Sequence, residues 1–313
     1  MLAATIADGE VRAAERPDPV AGAGEVLVRV RAAGINAADL LQRRGLYPAP
    51  PGSPPDIPGL ELAGEVAALG TGATRFGEGD RVMAIVGGGG QAELAVVHER
   101  QLMPVPEEID WPAAGGLAEA FTTAHDAIFT QAALRSGERL LVHGGAGGVG
   151  TAAIQLGVAC GAEVVATVRS VGLREQVAGF GARVVDPEDF VDAGPYDVIL
   201  ELIGAVNLAS DVQALAVGGR ICVIGVGGGA RGELDLLALM GKRGRIHGST
   251  LRARPLEEKA ATARALERQV LPLFETGSLR VPVAETVPLE QVAEAYERFA
   301  AGGKLGKIVL TIG

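Results

Sequence analysis

The amino-acid sequence predicts an α/β chain of two domains, one made mostly of strands and turns and the other a doubly wound parallel sheet. Three observations predict it. The chain has 313 residues, more than one ordinary hydrophobic core organises. Up to about residue 110 it reads as short strand-like runs punctuated by glycine and proline. From about residue 115 strand-like and helix-like segments alternate, which is the rhythm of βαβ units on a parallel sheet.

The elements follow in order. Glu25–Arg31 alternates polar and apolar residues over most of its length, as a half-buried strand does. Gly79–Ala84 and Gln91–Val97 read as further strands separated by the Gly87–Gly90 run. Tyr47–Pro58 carries six prolines and is neither helix nor central strand. It is expected to be an ordered loop, the kind of segment that carries function. In the second stretch, helices are expected over Gly116–Gln131, Gly148–Cys160 and Gly172–Phe180. Strands are expected at Arg139–His143, Glu163–Thr167, Arg183–Val185, Asp197–Leu202 and Arg220–Ile224. After Leu251 come a helix over Pro255–Glu275, the segment Pro282–Val287, a helix over Leu289–Ala300 and a last strand, Gly306–Thr311. A lone strand needs a sheet to join, so the tail is expected to return to the first domain. The expected division is 1–115 with 267–313 around an inserted 116–266.

Apolar residues make up 48% and charged residues 21%, the balance of a water-soluble globular chain. The net charge of −10 argues against a nucleic-acid surface. Cys160 and Cys222 lie in apolar segments and read as buried thiols of a reducing cytoplasm. Met1–Thr5 has neither the basic lead nor the apolar core of a signal peptide, and no apolar run reaches the ~20 residues of a bilayer span. No membrane partner is expected.

The sharpest motif is Gly145, Gly147 and Gly150, a G-x-G-x-x-G placed directly after a strand and before a helix. The glycines give a tight turn, close approach of backbone to a pyrophosphate, and close helix–strand packing. The amides of Gly148 and Val149 at the helix mouth would receive the phosphate charge. NAD-specific domains carry an acid about 20 residues on; here Arg169, Ser170 and Arg174 stand in that region. A guanidinium suits a 2′-phosphate, so NADPH is the expected cofactor.

With these motifs in place, the chain resembles the zeta-crystallin-like quinone oxidoreductases of the medium-chain dehydrogenase/reductase superfamily. The resemblance rests on Gly34–Leu40 with Gly45–Pro48, Pro58–Gly64, Gly79–Val82, Gly89–Glu93, Glu119–Ala124, the glycine loop and Gly306–Leu310. It implies a GroES-like catalytic domain, a Rossmann domain, and a cleft between them for the nicotinamide. It further implies that Asn36 and Tyr47 line the substrate site and that Thr123, Thr250 and Leu251 face the nicotinamide. Ile203, Gly225 and Val226 would line the cofactor groove, with Lys307 approaching from the tail. Two features depart from the family: no tyrosine precedes the acidic run Asp186–Asp189, and Gly172 and Leu173 stand where a lysine is common.

Zinc-dependent relatives need Cys and His ligands in the first domain. Here Asn36 stands near the Cys position and Leu60 where the His is expected, and His98, His125, His143 and His247 are scattered. No metal is expected, and the histidines read as surface or packing residues. Without a Lewis acid, alcohol oxidation is disfavoured. Hydride addition to a small-molecule quinone or enone, whose conjugated oxygen takes the charge, is the expected chemistry. Tyr47 is the expected hydrogen-bond donor and Asn36 the orienting group. Arg252 and Arg254 follow the expected nicotinamide contact and read either as attracting an anionic group or, as such residues more often are, as solvated. The alternatives are an alkenal or enoyl double-bond reductase of the same fold and a non-catalytic cofactor-binding sensor. The resemblance also implies a homodimer formed by pairing of Rossmann-sheet edges.

Overall fold

The computed structural model describes residues 1–313. The chain opens with β1 (Leu2–Ala7), β2 (Glu10–Glu15), β3 (Glu25–Gly34), α1 (Ala37–Arg43), β4 (Glu61–Leu69), β5 (Arg81–Ile85), β6 (Leu94–His98) and β7 (Met103–Pro104). It continues with α2 (Trp111–His125), β8 (Arg139–Val142), α3 (Gly148–Ala159), β9 (Glu163–Thr167), α4 (Arg174–Ala178) and β10 (Arg183–Val185). Next come β11 (Tyr196–Glu201), α5 (Leu208–Ala214), β12 (Leu215–Val223), α6 (Leu236–Lys242) and β13 (Arg245–Gly248). The chain closes with α7 (Leu256–Gln269), α8 (Leu271–Glu275), β14 (Val283–Pro288), α9 (Val292–Ala301) and β15 (Lys307–Thr311).

These elements form two compact units. The first holds Met1–Thr122, Leu251–Gly302 and Lys307–Gly313, and the second Thr123–Thr250 with Gly303–Gly306. The second crossing falls near residue 250, earlier than the 266 read from the sequence, because α7 belongs with the first unit. Its Ala260, Ala263 and Leu266 are buried there, and Arg264 donates to the Leu102 carbonyl at 2.5 Å.

In the first unit a seven-stranded sheet runs β14-β15-β3-β4-β5-β7, with β6 also on β3. The tail strand β15 pairs antiparallel with β3, placing Lys307 beside the end of that strand. The alternation read in β3 is real: Val26, Val28 and Val30 are buried and join Leu62, Val82, Leu310 and Tyr296 in one core. The hairpin β1–β2 was absent from the sequence expectation. Its turn, Asp8-Gly9, holds φ of 53° and 78°, and Asp-Gly between alternating runs is a strong hairpin signal that went unread.

The second unit is a six-stranded, wholly parallel sheet in the order β10-β9-β8-β11-β12-β13. Counted from β8, this is the doubly wound order 3-2-1-4-5-6, with the switch point between β8 and β11. Two expectations are corrected. The single helix Pro255–Glu275 is α7 and α8 with a break at Val270, since Pro272 lacks an N–H and crowds the preceding turn. Cys222 is buried, but Cys160 is only partly so because it caps the C-terminal end of α3.

Candidate functional site

The glycine turn follows β8 in the second unit. A Cβ at Gly150 would stand 2.3 Å from the Gly144 carbonyl oxygen, and one at Gly145 2.9 Å from Ala166 Cβ. Both positions therefore exist for close packing. Gly147 differs: a Cβ there would meet nothing nearer than 3.5 Å, so the space before it is open. Gly147 is the N-cap of α3 and accepts the Thr151 N–H at 2.8 Å. The first-turn amides of Gly148, Val149 and Gly150 have no intrahelical acceptor, and they point with the helix dipole, the arrangement that receives a phosphate. On the other side the Ala146 carbonyl accepts the Gly306 N–H at 2.8 Å, pinning the turn.

Of the remaining second-unit residues, those that follow β9, β11, β12 and β13 leave the same C-terminal edge of the sheet. Arg169 and Ser170 are exposed just beyond β9. Arg174 donates to the Val168 carbonyl at 3.0 Å and pairs with Asp186, so its fork is partly engaged by the protein. Ile203 and Val226 are exposed after β11 and β12. Gly225 is required by packing, since a Cβ there would stand 2.0 Å from the Leu202 carbonyl oxygen. Thr123 is buried and Thr250 exposed.

In the first unit the structure brings Asn36 and Lys307 together. The Lys307 ammonium, 3% exposed, donates to Asn36 Oδ1 and Glu61 Oε1, both at 2.6 Å, and to the Ile35 carbonyl at 3.1 Å. Its three N–H groups are thus engaged by protein acceptors. Asn36 in turn donates to Glu61 Oε1 at 3.0 Å, while Glu61 Oε2 accepts the Glu119 N–H at 2.8 Å. Beneath lies Asp39, whose carboxylate accepts the Asn36 and Gly59 amides. Burial pushes its pKa up to about 6, against those two amide bonds. Gln91 bridges Asp39 to the buried Tyr296, whose hydroxyl donates to Gln91 Oε1 at 2.8 Å and is raised well above its ordinary range by burial.

Tyr47 is held from behind. Arg252 lies with its guanidinium carbon 4.8 Å from the Tyr47 ring centroid and donates to the Tyr47 and Gly87 carbonyls, both at 2.8 Å. Arg252 is buried, which overturns the solvated reading; burial lowers its pKa. Leu251 beside it is also buried. The sequence reading missed Asp39, Gln91, Tyr296 and the role of Glu61. Only Asp39 had a local signal, an acid three residues after the N-cap Asn36. Of the two readings of His143, surface or packing, the structure has the buried one: it packs on Phe190 and lies against Asp211 and Glu201.

A unit of this β-rich kind with a tail strand returned to it, and a unit with this strand order and glycine turn, define a medium-chain dehydrogenase/reductase. Residues 22–107 match the alcohol dehydrogenase GroES-like domain family and 181–310 the zinc-binding dehydrogenase family. The quinone oxidoreductase of Lama guanicoe is 34% identical over 306 residues, covering 94% of this chain and 91% of that protein. The polyketide synthase GfsB of Streptomyces halstedii contains a stretch 32% identical over 92% of this chain, 5% of its own length. An alcohol dehydrogenase superfamily protein from Novosphingobium aromaticivorans superposes with a TM-score of 0.87 at 28% identity, over the full length of both chains. The chain belongs to the quinone oxidoreductase family.

Proposed function

We propose that the protein is an NADPH-dependent oxidoreductase that delivers hydride to a small conjugated carbonyl, a quinone or an activated enone. The observation that carries this reading is the open space before Gly147 at the mouth of α3, where the first-turn amides of Gly148, Val149 and Gly150 have no intrahelical acceptor. Gly145, Gly147, Gly148, Val149 and Gly150 would hold the pyrophosphate, and Ile203, Gly225 and Val226 would line the groove beside it. Arg169 and Ser170 would take the 2′-phosphate, with Arg174 contributing from its pair with Asp186. Thr123, Thr250 and Leu251 are assigned to the nicotinamide end. When bound, the nicotinamide supplies the hydride.

The protein's own groups then handle charge. The Tyr47 hydroxyl donates a hydrogen bond to the substrate oxygen as charge develops there, and Arg252 keeps the ring in place. Asn36 orients the substrate or nicotinamide amide, and Lys307 fixes Asn36 rather than contacting cofactor itself. We also propose that zinc has no part in the chemistry. An ammonium fills the space between Asn36 and Glu61, with Leu60 alongside, and both cysteines lie in the other unit. That donor set lacks thiolate and imidazole and already holds a cation.

The dimer implied by the family resemblance is proposed through β13, the outer strand of the parallel sheet. Its neighbour α6 presents Leu237 (77% exposed) and Met240 (70% exposed), an apolar surface that a second copy would cover. The enoyl-reductase reading gains support from the stretch shared with a polyketide synthase.

A steady-state comparison of kcat/KM with NADPH and NADH across ortho-quinones, para-quinones, 2-enals and enoyl thioesters tests the function. Quinones or enals as the best acceptors, with NADPH preferred, are expected. A clear preference for thioesters would favour the alternative, and no oxidation of either cofactor by any acceptor would overturn the reading.

A further inference from the structure

His143 opens the turn after β8 and is 1% exposed. Its Nε2 lies 2.8 Å from Asp211 Oδ1 and 3.8 Å from Glu201 Oε2, and its Nδ1 lies 3.1 Å from the Thr167 hydroxyl. That hydroxyl accepts the Gly144 N–H at 3.3 Å. Phe190 packs edge-on against the ring, with centroids 4.7 Å apart. One imidazole therefore touches the segments leaving β8, β9 and β11 and the helix α5. In an open parallel sheet these carboxyl ends are where a ligand sits.

The charges around the ring are unbalanced. Glu201 accepts the N–H groups of Ile203 and Gly204 and the Asn207 amide, while Asp211 Oδ2 is buried with no partner. His143 lies against both carboxylates and is an ion-pair partner to them only when protonated. Burial pushes the Glu201 carboxyl above its ordinary range. Two arrangements satisfy the ring. In the neutral one, Nε2–H donates to Asp211 and Thr167 donates to Nδ1. In the protonated one, both nitrogens donate, and Thr167 turns its hydroxyl proton away while still accepting from Gly144. The second arrangement places a positive charge at the start of the glycine turn.

We propose that His143 is a positioning residue of the dinucleotide site, tying the turn to the adjacent strand ends and taking up a proton as a pyrophosphate binds there. The inference rests on the dinucleotide reading of this unit. A bound dianion favours the charged arrangement, and by linkage the extra proton favours the dianion.

Calorimetry with ADP-ribose in buffers of different ionisation enthalpy tests it. ADP-ribose carries the pyrophosphate without a 2′-phosphate, whose own titration would obscure the count. The wild type should take up protons as ADP-ribose binds, by an amount that depends on pH. His143→Gln should take up almost none and bind roughly tenfold more weakly where the wild type's uptake is greatest. Should that variant not fold, ring-nitrogen NMR of the wild type serves: saturation with ADP-ribose should protonate both nitrogens of His143. Binding without proton uptake, unchanged uptake in the variant, or a ring that stays neutral overturns the proposal while leaving the dinucleotide reading intact. Absence of binding by ADP-ribose and NADPH alike overturns both.

Discussion

Lys307 shows how one side chain defines its surroundings. Its ammonium is buried with Glu61, and removing one member of such a pair leaves the other charge stranded. Lys307→Met is expected to destabilise the protein by about 3–5 kcal/mol in denaturant unfolding, and adding Glu61→Gln should recover part of that loss. Asp39 makes a second prediction at this scale. Its folded pKa of about 6 lies above the ordinary 3.8, so its contribution to stability is full below about 3.8 and is lost as pH rises through 6. Asp39→Asn should flatten the pH dependence of stability in that window; an unchanged profile would rule the assignment out. Arg169 tests the cofactor. Exchanging it for Asp should lower the ratio of kcat/KM for NADPH over NADH by about tenfold or more, and unchanged discrimination would remove Arg169 from the phosphate site.

At the scale of elements, what was legible from sequence was what is encoded locally. The strand, glycine turn and helix from Arg139 to Ala159 stand in 21 consecutive residues, and their spacing carries a physical reason for each glycine. The β3 alternation was readable for the same cause. Elements lacking such a pattern were not found: α5 and α6 are seven residues each, too short for helical periodicity to stand out. Edge strand β13, four residues long, escaped for the same reason. Leu237→Glu with Met240→Glu on α6 should convert a dimer to monomers in light scattering without unfolding the chain. A wild type already monomeric at micromolar concentration would remove the proposed interface.

For the molecule as a whole, the absence of suitable ligands in the first unit makes a prediction about metal. Prolonged treatment with a chelator should leave the reductase rate and the thermal unfolding midpoint unchanged; a loss of rate restored by zinc would overturn the zinc-independent reading.

The sequence by itself determined the two-domain α/β plan, the dinucleotide turn and the family resemblance, because each lies in contiguous motifs whose spacing has a direct backbone consequence. Only the tertiary structure decided the electrostatics. Lys307 and Glu61 are 246 residues apart, Arg252 and Tyr47 205, and His143 and Asp211 68. Whether a charged side chain is solvated or buried against a partner depends on which distant segments fold beside it, and no local pattern records that.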